Sequence, residues 1–255
     1  MDPTHTAAIR DQFTRQAVPF ASAPAIRDQE TLDRIVDATG ATASDSVLDV
    51  GCGPGLLACA FAARGGRVTG VDLTRAMLDQ AHVEQRARDL SNVQWVQADA
   101  TRLPHRNRQF SIVTSRLAFH HLEQPLEVLR EMVRVCRRGG RVVVVDVAPA
   151  ADKAEAFDRM EKLRDPSHTR ALPVEEMTAL FAAAGLGQPR VDRWSMAGEL
   201  EALLARSFPP PGCEERVRQM FRESLELDVM GIEPRVENGA IVYAFPMALV
   251  ASVVS

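Results

Sequence analysis

The run Val47-Leu48-Asp49-Val50-Gly51-Cys52-Gly53-Pro54-Gly55 joins an apolar stretch and one carboxylate to a glycine-rich turn. Glycines let the backbone turn sharply and let a ligand approach the main chain. A helix that starts directly after such a turn presents free N–H groups. Asp72 closes the next apolar run, 21 residues after Gly51. A carboxylate at that place can accept hydrogen bonds from the two hydroxyls of a ribose. Asp49, beside the turn, suits a ligand with an ammonium group better than a pyrophosphate, which it would repel. The spacing is G-x-G-x-G, and Leu56 stands where the dinucleotide fingerprint would put its third glycine. These residues predict a site for an amino- and ribose-bearing cofactor. The bland alternative is a tight strand–helix turn with no ligand.

The elements that must position these groups follow from periodicity. Residues 46 to 147 alternate strand and helix patterns. Strands are expected at Ser46–Val50, Arg67–Val71, Val93–Gln97, Phe110–Thr114 and Arg141–Val147, the last containing the unbroken run Val142 to Val145 of a strand buried on both faces. Helices are expected over Pro54–Arg64, from Thr74 as N-cap to about Asp89, and along Leu126, Leu129, Val133 and Cys136, with Gly139-Gly140 ending the last. Strands alternating with helices predict an α/β, doubly wound parallel sheet, with ligands outside the carboxyl ends of its strands. Beyond it, 151–185 reads as two helices and Gln188–Met196 as a strand. Residues 197–230 read as helical with a break at Pro209-Pro210-Pro211-Gly212, and Ala240–Val253 as a final strand with irregularity at Pro246. Residues 1–40 read as a helical cap in which Ile9, Phe13 and Phe20 form an apolar stripe, and 41–255 as one domain with helical insertions at about 151–185 and 197–230.

Composition narrows the function classes. The chain of 255 residues is long enough for one sizeable core, and its formal charge of −4 argues against non-specific nucleic-acid binding, which needs a basic surface. Cysteines at 52, 59, 136 and 213 form no Cys-x-x-Cys pair and no zinc-like spacing with histidine, so no metal is expected. Scattered thiols and an N-terminus without a basic stretch followed by an apolar run predict a cytoplasmic protein, and no run is long enough for a membrane span.

Four segments carry a resemblance. Asp49 to Gly55 resembles motif I of class I S-adenosylmethionine-dependent methyltransferases, and Val71-Asp72-Leu73-Thr74-Arg75-Ala76-Met77-Leu78 their second motif. Gln97 to Pro104 is similar to the third and Phe110 to Arg116 to the fourth, in order, over roughly residues 40 to 150. Within that superfamily the chain resembles the ubiquinone/menaquinone C-methyltransferase-like group. The resemblance implies a Rossmann-like sheet of seven strands in the order 3-2-1-4-5-7-6, and S-adenosylmethionine as cofactor with S-adenosylhomocysteine as product. It also implies roles. Gly51, Gly53 and Gly55 would line the methionine moiety and Asp49 would reach its amino group. Asp72 would hold the ribose, Leu73 and Met77 would pack on the adenine, and Asp99 and Ala100 would contact it. Ser115 would meet the methionine end.

Methyl transfer is an in-line displacement at a sulfonium carbon, so positioning supplies much of the acceleration. A hydroxyl or acidic carbon as nucleophile is helped by a base, and histidine titrates in the right range. His120 and His121 follow the fourth strand, and His120 is preferred because neighbouring side chains point in different directions. His168, with Arg164 and Arg170, falls in the insertion after strand five. The two arginines could bind an anionic or carbonyl-bearing acceptor or pair with Glu161, Asp165 or Asp158. Phe20, Phe119, Trp194 and Tyr243 could line an apolar acceptor pocket or serve as packing.

The expected function is methylation of a small molecule at carbon or oxygen. A nicotinamide oxidoreductase would need the third glycine. A nucleic-acid methyltransferase would often place Asn or Asp before Pro-Pro-aromatic after strand four, where this chain has Thr114-Ser115-Arg116-Leu117-Ala118. A methyltransferase-fold protein with non-methyl chemistry, such as a cyclase, keeps the cofactor site and changes the job.

Overall fold

The computed structural model describes residues 2–255. Helices α1 (Pro3–Ser22), α2 (Pro24–Arg27) and α3 (Gln29–Thr39) precede the sheet. Pro3 starts α1, and the Asp2 carboxylate accepts the Thr4 N–H at 2.8 Å, satisfying one of the free donors of a helix start. Then come β1 (Ser46–Val50), α4 (Leu56–Ala63), β2 (Arg67–Asp72), α5 (Arg75–Ala87), β3 (Val93–Gln97) and β4 (Phe110–Arg116). A 3-10 turn (Phe119–His121) leads to α6 (Pro125–Val135) and β5 (Cys136–Val147). The remainder is α7 (Ala154–Arg164), α8 (Val174–Ala183), β6 (Arg190–Glu199), α9 (Leu200–Ala205), α10 (Cys213–Leu227), β7 (Arg235–Glu237) and β8 (Ala240–Val253).

The sheet runs β3-β2-β1-β4-β5-β8-β6, with β7 paired to β8. Strands β1 to β5 are mutually parallel and β8 is antiparallel to both neighbours. This is the expected order with one strand more. β7 and β8 form a hairpin about Asn238-Gly239, whose φ values of 51° and 81° are those of a type I′ turn. Two apolar layers flank the sheet, and β5 divides its valines between them. Val143 and Val145 face Leu57, Phe61 and Phe157, while Val142 and Val144 face Leu129, Met132 and Phe181. Both faces of that strand are therefore dry, which is why its sequence shows no polar alternation.

Two expectations are corrected. Gly139-Gly140 does not end the helix: α6 stops at Val135, and the glycines open β5, where Gly139 N donates to the Val254 carbonyl at 2.8 Å. A Cβ on Gly140 would stand 2.7 Å from both Cys136 Sγ and the Ser111 carbonyl, so close backbone approach, not helix capping, requires the glycine. Pro246 makes no irregularity in β8, which pairs with β6 continuously through Ser195. The proline carbonyl accepts Ala148 N–H at 2.8 Å, just past the end of β5. The missing proline N–H faces the same side, so the one bond it cannot return falls at Ala148, past the end of β5, and the ladder to β6 is untouched.

Candidate active site

A cleft of about 980 Å³, its open mouth included, lies at the carboxyl ends of β1, β2 and β4. The glycine turn forms its floor. Gly51 has φ 67° and a Cβ there would stand 2.8 Å from Ala118 Cβ, so conformation and space both demand glycine. A Cβ on Gly53 would meet nothing within 4 Å, which leaves the turn open toward the cleft. Gly55 has a different task. It is the N-cap of α4, and a Cβ would stand 2.5 Å from the Trp95 ring, so it packs on β3 and does not line the cleft.

Asp72 ties the turn to the next helix. Its Oδ2 accepts Gly53 N–H and its Oδ1 accepts Thr74 N–H, both at 2.8 Å. Burial raises its pKa, against these N–H groups. Asp49 is fully buried beneath the turn, with the Thr114 hydroxyl donating to it at 3.1 Å. Burial pushes its carboxyl up to about 7; Thr114 and the Arg116 guanidinium resist, and Asp72 adds to the rise. Leu73, Met77, Ala100 and Ser115 stand on the cleft walls. Asp99 does not. It accepts the N–H and hydroxyl of Thr101, each at 2.8 Å, and so closes its own turn beside the cleft.

Arg116 is a cleft residue that the motif reading passed over. Both its Nη atoms donate to the Ile26 carbonyl at 3.1 Å, and its buried Nε has no partner among the described residues. Burial lowers its pKa to about 10 against the pull of Asp49 and Asp28. The signal was its place, the last residue of a parallel strand.

A second chamber of about 540 Å³, its open side included, adjoins the first. The two share Phe13, Phe20, Ile26, Leu117 and His121. Leu117 holds its position with a left-handed φ of 55°, uncommon for a residue with a Cβ. The far walls are apolar at Val147, Met196, Leu203 and Phe245, and polar at His120, Arg164 and Arg206. Arg164 is ion-paired there. Its Nε and Nη2 reach the two Glu161 oxygens at 2.9 and 2.5 Å, and its Nη1 donates to Ser207 Oγ at 2.9 Å. Burial opposes both charges, yet each stabilises the other enough to raise the Arg164 pKa and lower that of Glu161.

Three histidines meet at the chamber's edge. His120 Nδ1 lies 2.5 Å from Asp146 Oδ1, near the end of β5. His121 Nδ1 faces the Ser167 carbonyl at 3.0 Å, and its ring is 4.1 Å from that of His120, centroid to centroid. Burial and the neighbouring His120 push His121 down to about 3. His168 Nε2 pairs with Asp158 Oδ1 at 2.7 Å, and the residue lines neither chamber.

The structure moves other expected acceptor residues away. Phe119 turns into the layer beyond the sheet with Leu48 and Val50. Trp194 lies on β6 with the Arg34 guanidinium 4.8 Å over its ring. Arg170 is a surface residue paired with Glu176 at 2.5 Å. Tyr243 is buried against Phe221 and Phe245. Each found a packing or ionic partner that one-dimensional spacing does not reveal. Phe20 and Arg164 remain on the chamber wall.

Known proteins share this arrangement. Residues 48–144 match the family described as methyltransferase domain. A Bacillus subtilis (strain 168) protein, uncharacterized methyltransferase YcgJ, is 29% identical over 207 residues, covering 80% of this chain and 82% of the relative. The ubiquinone biosynthesis O-methyltransferase of Aeromonas salmonicida (strain A449) is 30% identical over 165 residues, covering 61% of this chain and 68% of that enzyme. The crystal structure of the Bacillus YcgJ protein superposes with a TM-score of 0.79 at 25% identity, covering 88% of this chain and 98% of that one. With the glycine turn and the sheet order in agreement, this chain belongs to the class I S-adenosylmethionine-dependent methyltransferases, and S-adenosylmethionine is its cofactor.

Proposed function

We propose that this chain methylates carbon or oxygen of a small-molecule acceptor held in the second chamber, with the cofactor in the first. The observation that carries the reading is the common wall: five residues border both spaces, so a group in one can meet a group in the other. On this reading residues 1–40 act as a helical cap over a transferase domain of 41–255.

The first cleft fits the cofactor's chemistry. Its amino-acid end is a zwitterion, and Asp49 and Arg116 offer a buried carboxylate and a buried guanidinium with an unpartnered Nε. Asp49 would take the ammonium and Arg116 the carboxylate. Gly51 and Gly53 would line the chain between them, and Asp72 would hold the ribose. Leu73, Met77 and Ala100 would flank the adenine, and Ser115 the methionine end. When bound, S-adenosylmethionine supplies an electrophilic methyl group on a sulfonium sulfur. The protein's part is to align and to dry the reacting atoms. Phe13 and Phe20 of α1, with Ile26 and Leu117, give the common wall an apolar surface.

The size of the second chamber favours a small acceptor over a polymer. Incubation with methyl-labelled S-adenosylmethionine and a cell extract split by size tests this. Label is expected in the small-molecule fraction. Label only in RNA or protein would refute the reading, as would an unlabelled product formed while the cofactor persists.

A further inference from the structure

We infer that His120, oriented by Asp146, is the group that takes a proton from the acceptor, so the acceptor's nucleophile is an acidic O–H or C–H, as in an enol, a phenol or a carbon between two carbonyls. The inference rests on the second chamber being the acceptor site.

Three histidines lie close together, and geometry separates them. His168 lines neither chamber, and its Nε2 is held by Asp158. His121 borders both chambers but has only the Ser167 carbonyl and hydroxyl on Nδ1, neither of them an anion. A proton on its ring would sit beside His120, with the Asp165 carboxylate no nearer than the far side of the Ser167 hydroxyl. Of the two histidines that line the second chamber, only His120 has a carboxylate in direct contact.

That carboxylate is fixed. Asp146 Oδ2 accepts the backbone N–H groups of Phe119 at 2.7 Å and His120 at 3.2 Å, and Oδ1 accepts Val147 N–H at 2.7 Å. An acid holding these donors stays ionised. Burial pushes it up, but His120 and the N–H groups hold it below the ordinary carboxylate range. An ionised carboxylate only accepts hydrogen bonds, so Nδ1 of His120 must carry the hydrogen. The free lone pair is then on Nε2. This atom has no protein partner among the described residues, yet it is not sealed from solvent, and the residue lines the acceptor chamber.

Charges around the ring reinforce its basicity. Burial lowers the proton affinity of His120, while Asp146 behind it and Glu161 from α7 raise it more. Arg164 opposes them but is neutralised by Glu161, and His121 and His168 stand on the remaining sides. A raised proton affinity suits a group whose task is to accept a proton during transfer. In that step the acceptor's proton passes to His120 Nε2, and the electron pair it leaves forms the bond to the methyl carbon. The carbon–sulfur bonding pair returns to sulfur, which becomes a neutral thioether. A tertiary amine or a thioether acceptor has no proton to give and would not use this residue. Asp146 touches no reacting atom; it is a positioning residue.

Protein labelled with 15N-histidine, saturated with S-adenosylhomocysteine, gives the test without an acceptor. Long-range 1H–15N spectra, with His120→Gln to assign the signal, are expected to show neutral His120 as the Nδ1–H tautomer, titrating above the usual histidine range. Asp146→Asn should lower that titration by at least one pH unit and leave S-adenosylhomocysteine affinity within twofold. An Nε2–H tautomer in the unaltered protein overturns the inference, whether or not the variant folds. So does a titration that Asp146→Asn does not move. Failure of S-adenosylhomocysteine to bind at all would instead overturn the underlying cofactor site.

Discussion

Asp49, on the proposed assignment to the cofactor's ammonium group, should make cofactor affinity depend on pH. In the ligand-free protein its carboxyl is pushed up to about 7 by burial. A ligand ammonium binds only the ionised form, so binding must first remove the proton wherever the pH is below 7. At pH 6 about one site in eleven is ionised, and apparent affinity for S-adenosylhomocysteine should be about tenfold weaker than on the alkaline plateau. The same measurement with 5′-methylthioadenosine, which lacks the amino-acid portion, removes the ammonium and keeps the ribose and adenine. Any pH dependence from Asp72, whose pKa burial also raises, is common to both ligands. The difference between the two calorimetric titrations from pH 5.5 to 7.5 therefore isolates Asp49. Equal slopes for both ligands, or a tenfold slope that survives in Asp49→Asn, would refute the assignment.

The same shift has a consequence for stability, with a definite sign. The folded, ligand-free chain holds the Asp49 proton more tightly than the unfolded chain, whose aspartate titrates near 3.9. Unfolding free energy should therefore fall as the pH rises from about 4 to about 7. Three pH units correspond to about 4 kcal/mol as an upper bound. Saturating S-adenosylhomocysteine should reverse the loss at pH 7.5.

Gly51→Ala combines a left-handed φ with a Cβ placed 2.8 Å from Ala118 Cβ. It should cost about 1–3 kcal/mol in thermal unfolding and weaken S-adenosylhomocysteine at least tenfold. Glu161→Gln leaves the buried Arg164 without its counter-ion and should destabilise the fold by about 3 kcal/mol, whereas Glu161→Met with Arg164→Leu should recover most of that loss.

Much of the sheet was legible because its signals are local. An apolar run of five followed by glycines can hardly be placed anywhere but in a buried strand and its turn. β7 went unread although Asn238-Gly239 is a strong hairpin signal; its three residues are all exposed and carry no apolar alternation. Gly139-Gly140 was misread because a helix end and a close backbone approach call for the same residue. The first cleft was legible for the reason that a glycine turn and the acids after it are contiguous motifs. The second chamber was not, because its walls come from α1, the 3-10 turn, α7, β6, α9 and β8, with Phe13 and Phe245 near opposite ends of the chain. Arginine spacing in α7 cannot tell a free guanidinium from one already claimed by Glu161 three residues earlier.

One rule would have reached further into the second chamber than any motif did. In a parallel sheet the polar residues that matter stand at the carboxyl ends of strands. Asp49 is next to last in β1, Asp72 is last in β2, Arg116 is last in β4 and Asp146 is next to last in β5. The first two were legible beside the glycine turn, and the other two were hidden by their surroundings, a mixed strand end and a run of four valines. Yet a charged residue that interrupts a fully buried strand is costly unless a partner or a ligand meets it there. For Asp146 the partner is His120; for Asp49 and Arg116 it is in part each other and in part the ligand that their opposite charges would receive. The four positions thus form a charged rim whose members differ only in what satisfies them. That difference separates the residues that would hold the cofactor from the pair that would move a proton.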